Sequence, residues 1–226
     1  MYRKLPAARY RVLAALAVGL VLTRPASAVV MQEFMHETQQ TNTVAQQLTL
    51  VWWMPPEFWD LSMGTNPNLS PTTVAEIHEI FRDYQVFAVV RVKTVIGGLS
   101  DLQTKEELVS HCSFTVAGKA IAPIAPDRLP GGMQTMIGAL RPMLSNMMGQ
   151  LGQSMELVVY PGAQDQKKLL DPLKAATFDY SIYDQTFHWH LPLASLLPKK
   201  VDPKTHEEFP GSYDFNPYTG GKLSSK

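Results

Sequence analysis

Residues 178–191 read FDYSIYDQTFHWHL, two β-prone runs, Phe178 to Tyr183 and Thr186 to Leu191, on either side of Asp184-Gln185. A polar turn between two such runs folds the chain back on itself, so the stretch reads as a β-hairpin. The same form recurs upstream, where Phe114-Thr115-Val116 and Lys119-Ala120-Ile121 flank Ala117-Gly118. Hairpins join antiparallel strands, whereas parallel neighbours need a crossover of about a dozen residues or more. Single strands are expected at Leu48 to Trp53, at Val86 to Ile96 and at Met155 to Tyr160. In the second of these Phe87, Val89, Arg91 and Lys93 share one face, and Ala88, Val90, Val92 and Thr94 the other. Both faces are apolar at its start, which marks a central strand that becomes exposed later.

Helices fall between these strands without alternating strictly with them. Pro56 opens a short one through Glu57, Phe58 and Trp59, after the strand that Pro55 ends. Asn66-Pro67-Asn68 is a turn; Ser70-Pro71 then supplies an N-cap with proline at the first helical position, and Val74, Ile77, Ile80, Phe81 and Tyr84 follow at helical spacing. Another short helix is expected over residues 104–110. From Met133 to Leu151 the one charged side chain is Arg141, and Met136, Leu140, Leu144, Met147 and Leu151 form an apolar stripe on a helix that Pro142 is expected to bend. The predicted class is α+β, an antiparallel sheet with inserted helices, plus a short C-terminal hairpin-like tail.

The first 28 residues have the plan of a secretory signal peptide. Arg3, Lys4, Arg9 and Arg11 precede the apolar run Val12 to Leu22, and Ala26-Ser27-Ala28 offers the small residues a peptidase requires. The expected organisation is a signal peptide at 1–28, a polar Gln/Thr-rich leader at 29–47, a globular α+β domain at 48–197 and a Pro/Gly-rich tail at 198–226. The alanine-rich signal points to a bacterial envelope, with the protein periplasmic or secreted and beginning near Val29.

Export changes the charge balance, because residues 1–28 hold five of the 20 basic residues and none of the 20 acidic ones. The remaining chain sets 15 bases against 20 acids, a net charge of −5. No basic cluster exceeds the pairs Lys167-Lys168 and Lys199-Lys200, so nucleic acid is excluded as the expected partner. No segment after the signal approaches the ~20 apolar residues of a membrane span, so a soluble exported protein is expected. Cys112 is the single cysteine, which rules out an internal disulfide; a buried structural thiol is expected rather than a nucleophile beside His111, because adjacent residues point in different directions.

Three constellations carry candidate chemistry. His188 and His190 lie two apart on a strand and therefore share a face at a spacing that suits one copper or zinc ion; the alternative is a solvated polar face opposite Phe187, Trp189 and Leu191. Met136 and Met147, within Met133-x-x-Met136 and Met143-x-x-x-Met147-Met148, suit thioether coordination of copper(I), or else core packing, or an apolar groove for a lipid or partner helix. Trp52, Trp53 and Trp59 offer stacking for a sugar or apolar ligand, against the reading that large aromatics fill a core.

The tail contains a repeat at an offset of fourteen. Asp202-Pro203-Lys204-Thr205-His206 aligns with Asn216-Pro217-Tyr218-Thr219-Gly220, and Phe209 and Leu223 follow three residues on. This pattern resembles the paired Cys-Pro-x-Cys-Gly knuckles of a zinc ribbon, with Asp202, Thr205, Asn216 and Thr219 in the places of the cysteines. The resemblance implies a structural zinc, but Thr and Asn supply no thiolate at neutral pH. Two Asx-Pro turns are therefore expected in place of a metal site.

Familiar enzyme signatures are missing, including a Gly-x-Ser-x-Gly elbow, a His-Glu-x-x-His helix, a phosphate loop and a Cys-x-x-Cys pair. The sequence thus leads to an exported non-enzymatic protein that binds a protein partner or an apolar ligand without a cofactor. An extracytoplasmic copper or zinc binder and a hydrolase of unrecognised type are the alternatives.

Overall fold

A computed structural model of the chain describes residues 26–63 and 70–225. Residues 1–25 of the expected signal peptide and the Asn66-Pro67-Asn68 turn lie outside the described residues. The fold is α+β. The elements are α1 (Ala26–Thr38), β1 (Gln39–Val44), β2 (Gln47–Met54), α2 (Pro56–Met63), α3 (Pro71–Arg82), β3 (Tyr84–Val95), β4 (Gly98–Asp101), α4 (Lys105–Ser110), β5 (Cys112–Val116) and β6 (Lys119–Ile121). They continue as α5 (Gly131–Met148), α6 (Gln150–Gln153), β7 (Glu156–Pro161), the small hairpin β8 (Ala163–Gln164) and β9 (Lys167–Lys168), β10 (Ala176–Ile182) and β11 (Gln185–Leu191). The tail adds β12 (Lys200–Val201), β13 (Glu208–Phe209) and β14 (Ser224–Ser225).

Every strand pair among the described residues is antiparallel. One sheet runs β1-β2-β3-β4, and β7 pairs with the first half of the long β3 while β4 takes its last four residues. The second runs β11-β10-β5-β6. Both sides of β2 and of the first half of β3 are buried, so the larger sheet is a middle layer with a cover on each face. Trp53 and Phe87 point to the second sheet, where Trp53 meets Phe178 at 4.8 Å and Phe87 meets Phe114 at 5.1 Å and Tyr180 at 4.4 Å between ring centroids. Trp52 points the other way, against Phe58 of α2 at 5.2 Å, and Trp59 stacks on Phe81 of α3 at 4.1 Å. Alternation along β2 thus sends two adjacent tryptophans into two different cores.

The local signals act as the sequence suggests. Ser70 Oγ accepts from the Thr73 N–H at 3.1 Å and caps α3, with Pro71 at the first position. The last hairpin pairs Phe178 with Trp189 and Asp179 with His188, which buries Phe187, Trp189 and Leu191 and leaves His188 and His190 outside. Its turn sits one residue earlier than the sequence suggests, at Tyr183-Asp184, and Tyr183 takes a left-handed φ of 55°.

Three expectations need correction. Residues 29–47 are not a loose leader: they form most of α1, then β1 and the start of β2, because Phe34 is wholly buried, Met31 and Met35 pack beside it, and the Thr38 hydroxyl donates to the Phe34 carbonyl at 2.9 Å. The buried stripe of α5 is Met133, Ile137, Leu140 and Leu144, so Met147 lies on the open side at 56% exposure. The helix contains Pro142 and ends at Gly149, whose φ is 58°, short of the expected Leu151. The short α6 then folds back so closely that a Cβ on Gly152 would stand 2.3 Å from the Leu144 carbonyl oxygen, which leaves glycine as the residue that fits.

Arg141, the lone charge of α5, has a partner. Its guanidinium makes a bidentate pair with Glu156 at the start of β7, Nη1 to Oε2 at 2.7 Å and Nη2 to Oε1, while Lys105 of α4 approaches the same carboxylate at 3.8 Å. The Glu156 side chain is about 10% exposed, so removing the arginine strands a carboxylate away from water. Arg141→Ala is expected to destabilise the protein by about 2 kcal/mol, below the usual cost of breaking a buried pair because the arginine side is open and Lys105 remains. Replacing both residues with methionine should cost less than the single change, which urea denaturation of the two variants will compare.

Candidate functional site

The residues singled out in the sequence fall into three places. Trp52, Trp53 and Trp59 are each at most 1% exposed and lie inside the cores, so no indole face is open for stacking. Trp53 donates from Nε1 to Gln85 Oε1 at 2.8 Å, a pair wholly within the interior. Met136 is half-buried beside the core, while Met143 and Met147 are exposed, so the methionines do not converge. Thr135, Ala139 and Asn146 lie with the two exposed methionines on an uncharged open side of α5.

His188 and His190 share an exposed strand face, and His188 Nδ1 is 2.7 Å from the Asp179 carboxylate across the hairpin. Among the described residues no group of three or more His, Cys, Asp or Glu is placed to hold a metal ion. The histidine pair therefore has no third ligand there. His111 is also occupied, with its ring stacked on Tyr183 at 4.0 Å and Nδ1 2.9 Å from the Glu107 carbonyl.

Cys112 points away from His111 and toward Tyr180, and its Sγ donates to the Leu108 carbonyl at 3.3 Å. Tyr180 in turn accepts from the Tyr160 hydroxyl at 3.2 Å between the two sheets. Burial raises the ionisation of all three groups and brings the Cys112 thiol up from 9.0 to about 11. Such a thiol stays protonated at neutral pH and is a poor nucleophile.

A cavity of about 540 Å³ lies elsewhere, between α1, the single helical turn Ala194–Leu196 and the C-terminal ribbon. Val30, Leu197, Phe209 and Pro210 give it apolar walls, and His36 and Lys199 supply polar groups. Lys199 Nζ stands 4.0 Å from Glu33, another wall residue. Glu37 fixes the geometry: its carboxylate accepts from the backbone N–H of Ala194 at 2.6 Å, from that of Ser195 at 2.9 Å and from the Ser195 hydroxyl. Three donors on one side chain dock the N-terminal helix against a turn nearly 160 residues away. The Ser195 hydroxyl is committed to that anchor. The cavity's size lies within the range of small-molecule sites, and Glu208 joins Glu33, His36, Glu37, Ser195 and Lys199 as the polar part of its lining. A second, shallower depression of about 280 Å³ follows on the next face of α1, beside Met31 and Met35.

The sequence marks Phe209 as part of the tail repeat and Lys199 as half of a basic pair, and singles out no cavity residue for ligand binding. The available signal was the spacing of Val30, Met31, Phe34, Met35 and Thr38, three and four apart, within a stretch whose polar composition suggests a leader.

No known protein family matches the chain, and no curated protein matches it. Among solved structures, the crystal structure of a DUF4426 family protein from Pseudomonas aeruginosa is similar at 11% identity and a TM-score of 0.27, over 78% of this chain and 98% of that one. A likeness of that size carries no argument about function.

The thiol offers a direct check on the burial described above. At pH 8 the native protein is expected to react with iodoacetamide at Cys112 at least about tenfold more slowly than the urea-unfolded chain. The fold favours the neutral thiol, so its contribution to stability is whole below pH 9 and declines as the pH rises toward about 11. Equal alkylation rates in the two states would contradict the buried placement.

Proposed function

We propose that this chain is an exported, non-enzymatic binding protein of a bacterial envelope, periplasmic or secreted, whose cavity between α1 and the C-terminal ribbon takes an apolar ligand or an apolar side chain of a protein partner. The observation that carries the reading is the cavity itself, with Val30, Leu197, Phe209 and Pro210 as walls and a docked helix as one side. The N-terminal sequence supports export, and the net charge of −5 after residue 28 favours an uncharged ligand or a protein over nucleic acid. Among the described residues no helix is long and apolar enough to cross a membrane. Cleavage after Ala28 would make Val29, the residue before the wall residue Val30, the new amino terminus.

Two measurements test this reading. N-terminal sequencing of the protein recovered from its own compartment should begin at Val29, and native mass spectrometry of the same material should show an added mass. Val30→Trp, which fills the cavity from one wall, should remove that mass with a change in unfolding free energy within about 1 kcal/mol. An added mass that persists unchanged in Val30→Trp counts against the cavity, and an uncleaved chain counts against export.

A further inference from the structure

The C-terminal ribbon is built twice over. Asp202 Oδ1 accepts from the N–H of Lys204 at 2.8 Å and of Thr205 at 3.4 Å, and Asn216 Oδ1 accepts from the N–H of Tyr218 at 2.9 Å and of Thr219 at 3.3 Å. The Asp202 carbonyl takes the His206 N–H at 2.8 Å, and the Asn216 carbonyl takes the Gly220 N–H at 2.8 Å. Thr205 Oγ accepts from Glu207, and Thr219 Oγ from Gly221. His206 and Gly220 close the two turns with left-handed φ values of 59° and 69°. Fourteen residues apart, each contact of the first turn has its counterpart in the second.

The two turns face each other. Asn216 Nδ2 donates to Asp202 Oδ2 at 2.6 Å, and both residues are 2% exposed. A Cβ on Gly221 would lie 3.3 Å from Thr219 Oγ and 3.8 Å from Asp202 Oδ2, so the 219 and 202 side chains converge on one spot. In a zinc ribbon four thiolates occupy these positions, accept the turn amides and share a cation. Here the oxygens that would face a metal are neutral or already engaged by N–H groups, so the residues present do not fit zinc. The Asn216 amide, with the Lys204 N–H, holds the Asp202 carboxyl below the usual carboxylate range.

We propose that the tail is a metal-independent counterpart of a two-knuckle metal ribbon, in which the Asp202–Asn216 hydrogen bond stands where a tetrahedral cation would sit. Each turn uses one side-chain oxygen to bind its own backbone, so the atoms left to meet across the gap must be one donor and one acceptor. Two asparagines leave two N–H₂ groups opposed, and two aspartates leave two oxygens opposed. A swapped pair restores the match, because the turns are equivalent.

Amide hydrogen exchange over residues 198–226 of the full chain tests this. Asp202→Asn and Asn216→Asp should each lower protection of the 204, 205, 218 and 219 amides by about tenfold or more, and the double variant Asp202→Asn/Asn216→Asp should return it to within about threefold of the parent. Chelator should leave the parent unchanged. A second arm places cysteine at 202, 205, 216 and 219, and this variant should take up one cobalt(II) per chain with the absorption of tetrahedral thiolate ligation. The proposal is overturned if the swap is as unprotected as the single changes, if chelator lowers protection in the parent, or if the four-cysteine variant folds but shows no such absorption.

Discussion

Over much of their length two strands of this protein have no side left for water. The six residues Val86–Val90 and Val92 of β3, with Leu50–Met54 of β2, are all at most 3% exposed, and antiparallel sheets of small domains commonly keep one face wet. Everything else in the domain follows from that burial. The second sheet covers one face through Phe114, Phe178 and Tyr180, and α1, α2 and α3 cover the other around Trp52 and Phe58. Truncating one of these buried aromatics to alanine typically costs about 3–5 kcal/mol, a large part of a domain's net stability. This is why the tryptophans belong to the interior and present no open face.

The helix cover also creates the cavity. α1 packs Phe34 against Phe58 of α2, 6.4 Å between ring centroids, and turns Val30, Glu33, His36 and Glu37 to the cavity. Glu37 docks the helix on the turn at 194–196, and the ribbon adds Phe209 and Pro210 to the same cavity. Three convex pieces set against one another leave a space between them. The ends of the described chain therefore meet at one place, which periodicity within a single element cannot reveal.

What could be read from the sequence follows the same division between local and distant causes. The strands β2 and β3 are legible because continuous Leu, Val, Phe and Trp runs have few other uses, and the ribbon turns are legible because Asx turns depend on residues two apart. The edge strand β1, Gln39–Val44, is polar and mostly exposed, so it carries no alternation to find. In α5 the two stripes Met133-Ile137-Leu140-Leu144 and Met136-Leu140-Leu144-Met147 both fit helical spacing. A helix with one charge has little to tell them apart, and it is the pair with Glu156 that turns Arg141 toward β7 and Met147 outward. The cavity was illegible because its walls come from residues 30–37, 194–199 and 208–210.

The ribbon and the cavity are mechanically one device. The first turn ends at His206, the Asp202 N–H then donates to the Glu207 carbonyl at 3.0 Å, and β13 pairs Phe209 with Lys200. Phe209, three residues past the turn, is thereby fixed as a cavity wall, while its counterpart Leu223 is buried within the tail. A metal at the centre of the ribbon would make that wall depend on the ion supply of the compartment. A hydrogen bond between Asp202 and Asn216 removes that dependence and leaves the wall sensitive instead to the state of one carboxylate. Because its folded ionisation is depressed, the carboxylate's contribution is present above the ordinary aspartate value near 4 and lost as the pH falls through the lower folded one. The wall thus holds across the neutral and mildly acidic range.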